Sequence, residues 1–243
     1  MEAIPRVEYQ EAFVIGDIHG MLDQLEQILE YWNPETQQLI FVGDYIDRGP
    51  ESLAVIQRVR ELQMTYDAIC LRGNHEELLL DFLQRPLIGW PLYERNGGVG
   101  TVLNLLERQN EHIGFGSSMR LASEIKQKHP WLVEWLRSLP YFVEFGQFIC
   151  VHAGIDLEQE NWRQTSLHDF VWIREAFHEG ENHTGKQIIF GHTPVMYLHQ
   201  QPSAMHVWHE DGKWGIDGGA VYNGSLLALQ IDQKNVLNKY QVT

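Results

Sequence analysis

Three times within its first 76 residues the chain repeats one unit: a short apolar run, a polar turn, then a stretch with helical periodicity. The runs are Phe13-Val14-Ile15, Leu39-Ile40-Phe41-Val42 and Ala68-Ile69-Cys70-Leu71. The turns are Gly16-Asp17-Ile18-His19-Gly20, Gly43-Asp44-Tyr45-Ile46-Asp47-Arg48-Gly49 and Arg72-Gly73-Asn74-His75-Glu76. Parallel strands joined by right-handed crossovers all end at one edge of their sheet. The repeat therefore predicts an α/β fold in which Asp17, His19, Asp44, Asn74 and His75 converge. Carboxylate, imidazole and amide oxygen are ligands for divalent metals.

The rest of the chain is read by the same signals. Leu22, Leu25, Ile28, Leu29 and Trp32 recur at helical spacing, and Asn33-Pro34 ends that helix. A second strand is expected over 38–43, a second helix after Pro50, a third strand over 67–71 and a third helix from about His75. Arg85 to Pro91 reads as a breaker-rich loop, and Asn96-Gly97-Gly98 as a second break. Helical periodicity resumes through Val102, Leu105 and Leu106, and again over 118–138 with an interruption at His129-Pro130. The block 85–139 is thus expected as a helical insertion flanking the cleft of a single domain, 1–243, with a loosely held lead-in up to about Gln10.

From Tyr141 the signal turns to strands. Tyr141–Phe145 and Phe148–Val151 form a hairpin candidate around Gly146-Gln147, and the second strand runs into His152-Ala153-Gly154. A long polar stretch holding Trp162, Trp172 and Arg174 follows. Gln187–Phe190 is another strand, ending in Gly191-His192-Thr193-Pro194. Short strands are expected near 204–208, 213–217, 225–231 and 236–241.

A formal net charge of −15 argues against a nucleic-acid backbone as the partner. It leaves anionic substrates open, because bound cations and local arginines reverse the sign inside one cleft. No apolar run reaches the length of a membrane span and the first residues do not read as a signal peptide, so a cytoplasmic protein is expected. Cys70 and Cys150 both fall in predicted buried strands and read as small core residues in a reducing compartment.

Six strand-end residues are plausible ligands: Asp17, His19, Asp44, Asn74, His152 and His192. Taken singly each has an ordinary explanation, an Asp as a cap or turn former and a His as a satisfied polar group. The joint pattern of five polar turns, each closing an apolar run, is what points to metal. Asp17 and His19, two apart, leave extended backbone on one face and could grip one ion. Asp44 would bridge to a second, completed by Asn74, His152 and His192. Two such ions suit in-line attack of a bridging hydroxide on phosphorus. His75, beside a ligand but not needed as one, is a candidate acid for the leaving alkoxide. Asp47 could orient it, and Arg48 could hold phosphate oxygens through its planar fork.

At these motifs the sequence resembles the calcineurin-like metallophosphoesterases, and within them the phosphoprotein phosphatase branch. The strings Gly-Asp-x-His-Gly, Gly-Asp-x-x-Asp-Arg-Gly and Gly-Asn-His-Glu all occur, unbroken and in order, followed by both histidine motifs. The resemblance covers about residues 12–231. It is similar in particular to the small bacterial and lambda-phage-type serine/threonine protein phosphatases, through Asn96-Gly97-Gly98, Val171-Trp172-Ile173-Arg174-Glu175 and Ile216-Asp217-Gly218-Gly219-Ala220-Val221. It implies a four-layer metallophosphoesterase fold, a central β-sandwich flanked by helices. It implies Asp17, His19 and Asp44 on the first metal, and Asp44, Asn74, His152 and His192 on the second. It further implies Arg48 and Arg174 as phosphate-binding residues, Arg72 beside them, and His75 with Asp47 as acid and partner. Two divalent ions are expected, manganese foremost, with iron or zinc as alternatives. Phosphodiesterase branches often carry Gly-His-x-His, and this chain has Pro194 at the second histidine, which favours a phosphomonoester. The expected activity is removal of phosphate from phosphoserine or phosphothreonine, and also phosphotyrosine, in a protein or peptide partner. The alternative is a symmetrical diadenosine tetraphosphate hydrolase. A third reading, a binding or scaffold module with a dead site, is the weakest of the three, since no ligand position is replaced.

Overall fold

The computed structural model describes residues 9–109 and 115–243. The expected lead-in lies, up to residue 8, outside the described residues. The strands are β1 (Glu11–Ile15), β2 (Gln37–Phe41), β3 (Ile69–Cys70), β4 (Phe142–Phe145), β5 (Phe148–Val151), β6 (Gln187–Phe190), β7 (Trp208–Glu210), β8 (Lys213–Gly215), β9 (Leu226–Ile231) and β10 (Val236–Val242). The helices are α1 (Leu22–Leu29), α2 (Ser52–Tyr66), α3 (Asn74–Gln84), α4 (Pro86–Arg95), α5 (Gly98–Leu105), α6 (Ser118–Lys128), α7 (Leu132–Ser138), α8 (Leu167–Trp172), α9 (Glu175–His178) and α10 (Val195–Leu198).

Two mixed five-stranded sheets result, ordered β10-β9-β1-β2-β3 and β4-β5-β6-β8-β7. In the first, β1, β2 and β3 are parallel, with Glu11 opposite Gln37 and Ile40 opposite Ile69. In the second, β5, β6 and β8 are parallel. Alternation along the strands splits the first sheet into two apolar faces. Val14, Ile40, Val42, Leu227 and Leu229 pack toward the second sheet, in one cluster with Phe148, Cys150, Ile188 and Phe190. Phe13, Ile15, Leu39, Phe41 and Ala228 face the opposite way, against α1 to α7 through Leu25, Val55, Val59, Leu79, Leu121 and Leu136. On the far side of the second sheet lie Phe170 of α8, Phe177 of α9 and Val195 of α10. The layers are helix, sheet, sheet, helix, as the resemblance implied. Cys70 and Cys150 are buried and free.

The expected loop over 85–91 is instead the first half of α4. Pro86 sits in its first turn, where a missing N–H costs nothing. Trp90 and Tyr93 then bury themselves against Phe82. Gly89 lies so close to α3 that a Cβ there would stand 2.7 Å from the Phe82 nitrogen. Tertiary burial overrides two prolines and a glycine that read as breakers. The break at Asn96-Gly97-Gly98 separates α4 from α5, and His129 to Trp131 separates α6 from α7. The strand expected over 204–208 begins only at Trp208, and the polar stretch after Gly154 holds the short helices α8 and α9.

Candidate active site

All five polar turns end at one edge of the two stacked sheets. Asp17 follows β1, Asp44 follows β2 and Asn74 opens α3 after β3, while His152 and His192 follow β5 and β6. Hydrogen bonds lock these loops together. The Asp44 carbonyl accepts the amides of Ile18 and His19 at 3.1 and 2.9 Å, and the His152 carbonyl accepts the Gly191 amide at 2.8 Å. The packing demands unusual backbone. His19, Asp44, Asp47, Arg48 and His192 all have positive φ, between 47° and 71°. Non-glycine residues held there are strained, and such strain gathers where side chains must be aimed. Gly43, at φ 110°, passes so close to the third turn that a Cβ would stand 2.6 Å from the Gly73 nitrogen.

Asp44 sits at the centre. Its Oδ2 is 3.5 Å from His19 Nε2, and its Oδ1 is 3.4 Å from His152 Nε2. Two groups of donor atoms share it: His19, Asp44 and His75 in one, and Asp44, His152 and His192 in the other, each within 4.8 Å. Asn74 Oδ1 joins the second, 3.0 Å from His152 Nε2 and 2.8 Å from His192 Nδ1. Asp17 anchors this group by accepting the His192 amide on Oδ2 at 2.9 Å.

The donor set fits divalent cations. His19 Nδ1–H donates to the Ile46 carbonyl at 2.7 Å, and His152 Nδ1–H to the Val42 carbonyl at 3.0 Å. In neutral imidazoles this leaves both Nε2 lone pairs facing the cluster. Asp17 Oδ1 and His192 Nε2 are buried without any partner among the described residues. The charges ask for the same remedy. Burial, then the charges of Asp217 and Asp44, push the Asp17 carboxyl well above its ordinary value. Burial raises Asp217 to about 6. Burial would raise Asp44 too, but the neighbouring His152 and His75 outweigh it and hold that carboxyl well down. Burial and the His75 charge lower His19 to about 3, and burial pushes His192 well down, so both stay neutral ligand bases. His152 is raised, because the Asp44 carboxylate overrides burial. Cations among these carboxylates and lone pairs would relieve both mismatches.

The remaining expected residues divide. His75 Nδ1 is 2.6 Å from Asp47 Oδ2, and His75 Nε2 is buried and unpartnered. Arg48 Nη1–H reaches the His19 Nε2 lone pair at 2.6 Å. That lone pair serves a guanidinium or a cation, not both. Arg174 Nη1–H donates to Thr193 Oγ1 at 2.9 Å, next to His192. Arg72 is placed otherwise. Its Nη atoms donate to Tyr141 Oη and to the carbonyls of Leu136 and Arg137, at 2.8 to 2.9 Å. It fastens the third turn to the end of α7, and the expectation that it binds substrate is withdrawn on that ground.

Reading the sequence for ligands missed Glu76 and Asp217. Glu76 is fully buried and accepts the amides of Gly73 and Asp44 on Oε2 and of Tyr45 on Oε1, each at 2.9 Å. It shapes the backbone that carries Asp44. The signal was present as the last letter of Gly73-Asn74-His75-Glu76. Asp217, after β8, accepts the Gly219 amide at 2.9 Å and adds charge beside Asp17. Its signal was the Ile216–Val221 string.

Residues 12–217 match the calcineurin-like phosphoesterase family. The chain belongs to that family. A calcineurin-like phosphoesterase is a hydrolase that uses divalent metals, and the two donor groups around Asp44 are where this one would hold them. It is 29% identical over 238 residues to the serine/threonine-protein phosphatase 1 of Salmonella typhimurium, spanning 95% of this chain and 97% of that one. It is 27% identical over 254 residues to the asymmetrical bis(5'-nucleosyl)-tetraphosphatase of Oceanobacillus iheyensis, spanning 93% and 90%. A solved structure provisionally named a diadenosine tetraphosphatase superposes with a TM-score of 0.60 at 19% identity, over 98% of this chain and 96% of that one. At that identity the likeness speaks for the fold. Among the described residues no helix is long and apolar enough to cross a membrane.

Proposed function

We propose that this calcineurin-like phosphoesterase is a protein phosphatase, taking phosphate from phosphoserine and phosphothreonine with two manganese ions bound. The ions, when bound, supply the positive charge that polarises a phosphoryl group and activates water. The chain's own residues do the rest. Arg48, beside His19, and Arg174, beside Thr193, bind the phosphoryl oxygens. His75, oriented through Nδ1 by Asp47, presents Nε2 as the acid for the leaving alkoxide.

The observation that carries the substrate class is the near full-length match to a serine/threonine-protein phosphatase, which spans 95% of this chain and 97% of that one. The Gly191-His192-Thr193-Pro194 string, with proline in place of a second histidine, supports the same phosphomonoester reading.

One observation favours a dinucleoside tetraphosphate instead. The Trp172 ring lies 5.8 Å from His192 and stacks with His168, a platform a base could use. A side-by-side assay with manganese of a phosphothreonine peptide and diadenosine tetraphosphate decides. The peptide is expected to give the higher kcat/KM. A value for the dinucleotide more than about tenfold above it, roughly 1.4 kcal/mol in barrier, would reverse the assignment.

A further inference from the structure

We propose that Tyr93 and Thr101, carried on α4 and α5 of the helical insertion, are positioning residues of the hydrolytic site that act through Asp47 on His75. The inference rests on the reading of His75 as the acid.

Asp47 is held from every side. Its Oδ2 takes the His75 Nδ1–H at 2.6 Å. Its Oδ1 takes the Tyr93 hydroxyl at 2.8 Å and the Thr101 hydroxyl at 2.5 Å. Its own amide is shared between Ser52 Oγ at 3.1 Å and Thr101 Oγ1 at 3.0 Å, and those two hydroxyls are 2.9 Å apart. The donors form a closed chain: Ser52 donates to Thr101, and Thr101 to Asp47. Asp47, Ser52, His75, Tyr93 and Thr101 are all 0% exposed, so these groups are closed to bulk solvent.

Each donor has a consequence for the imidazole. Two O–H groups on Oδ1 stop the carboxylate rotating, which leaves Oδ2 aimed at Nδ1. That bond keeps the Nδ1 proton in place and turns Nε2 toward Asp44, 3.9 Å from its Oδ2. Burial and the Asp47 charge hold the Tyr93 phenol well above its ordinary value, so it remains a donor.

The glycine pair that breaks the insertion has a place in this arrangement. A Cβ on Gly98 would stand 2.6 Å from the Tyr93 ring, and one on Gly97, at φ 100°, would stand 3.0 Å from Arg48 Cγ. Only with both side chains absent do α4 and α5 close on Asp47 and Arg48. These are consecutive left-handed residues, at φ 71° and 69°, which need outside support to stay so. The insertion is therefore a brace for the acid as well as a wall of the cleft.

The test uses the full chain loaded with manganese and two esters, phenyl phosphate with a poor leaving group and p-nitrophenyl phosphate with a good one. Tyr93→Phe is expected to lower kcat on phenyl phosphate about tenfold, part of the 10² to 10⁴ that a positioned acid supplies. On p-nitrophenyl phosphate the loss should be clearly smaller, with KM and metal content unchanged on both. In a His75→Asn background Tyr93→Phe should cost nothing more, because the two act as one unit. Thr101→Ser, which keeps the hydroxyl, should retain most of what Thr101→Val loses, and this pair carries the test if Tyr93→Phe does not fold. Equal losses on the two esters, or a full additional loss in the His75→Asn background, would show Tyr93 to be structural only and overturn the inference. If His75→Asn itself fails to distinguish the esters, the acid reading falls first, and that result is separable from a failure of Tyr93→Phe alone.

Discussion

His75 Nδ1 and Asp47 Oδ2 meet at 2.6 Å, and both side chains are sealed from solvent. A carboxylate bonded to one ring nitrogen fixes the tautomer of the other. The proposed acid role predicts that His75→Asn lowers kcat by about 10² to 10⁴ on an alkyl phosphate. The loss should be much smaller on p-nitrophenyl phosphate, whose leaving group needs little protonation. Turnover across a leaving-group series, with metal content measured on each preparation, checks it. A variant that has lost metal would show that His75, which lies in the donor group with His19 and Asp44, is a ligand instead.

The metal reading predicts that chelation abolishes turnover and that manganese restores it. Asp44→Asn is the sharpest variant, since Asp44 belongs to both donor groups. It should lose bound metal and rate together, while Asn74→Ala should lose metal mainly from the group with His152 and His192. Elemental analysis beside activity is the measurement. Full turnover in a demonstrably metal-free sample would end the reading.

Much of this site was legible because its residues sit on the simplest register a chain can carry. Asp17, Asp44, Asn74, His152 and His192 each close an apolar run, and parallel pairing in both sheets then brings the ends to one edge. The less legible residues are those whose role depends on tertiary neighbours. Arg72 has the same local setting as Arg48, yet only the fold shows that α7 ends within its reach. Tyr93 lies in a stretch whose prolines and glycine read as a loop, and nothing in the local pattern tells that its hydroxyl crosses to a residue 46 positions earlier. Helix α4 forms because burial of Trp90 and Tyr93 outweighs poor helix propensity.

Glu76 gives a prediction in which stability and metal affinity fall together. Its two oxygens accept three backbone amides, and the side chain is fully buried. Glu76→Gln keeps the shape but replaces one acceptor oxygen with an NH₂ group, which then faces a backbone N–H. A buried donor left unsatisfied costs about 1–3 kcal/mol. The midpoint of chemical denaturation should drop accordingly, and metal affinity should weaken because the Asp44 backbone loses its support. An unchanged midpoint would mean that the three amides find other partners.

The two arginines make the last prediction, and their different partners make it specific. Arg48 Nη1 donates to the His19 Nε2 lone pair and Arg174 Nη1 to Thr193 Oγ1. Charge spreads over the equatorial phosphoryl oxygens in the transition state, so removing either donor should lower kcat/KM by about 10² to 10³, as for one preorganised oxyanion donor. Lysine should restore only part, since it lacks the planar two-pronged fork. Arg48→Ala carries a second consequence that Arg174→Ala does not. With the guanidinium gone, the His19 lone pair is open to a cation, and a fixed positive charge leaves the donor group of His19 and Asp44. Manganese should therefore bind Arg48→Ala at least as tightly as the parent while turnover falls, and isothermal titration beside steady-state kinetics separates the two effects. Weaker binding in Arg48→Ala would mean that the arginine supports the ion's site, and unchanged kcat/KM in both alanine variants would place neither arginine on the phosphoryl group.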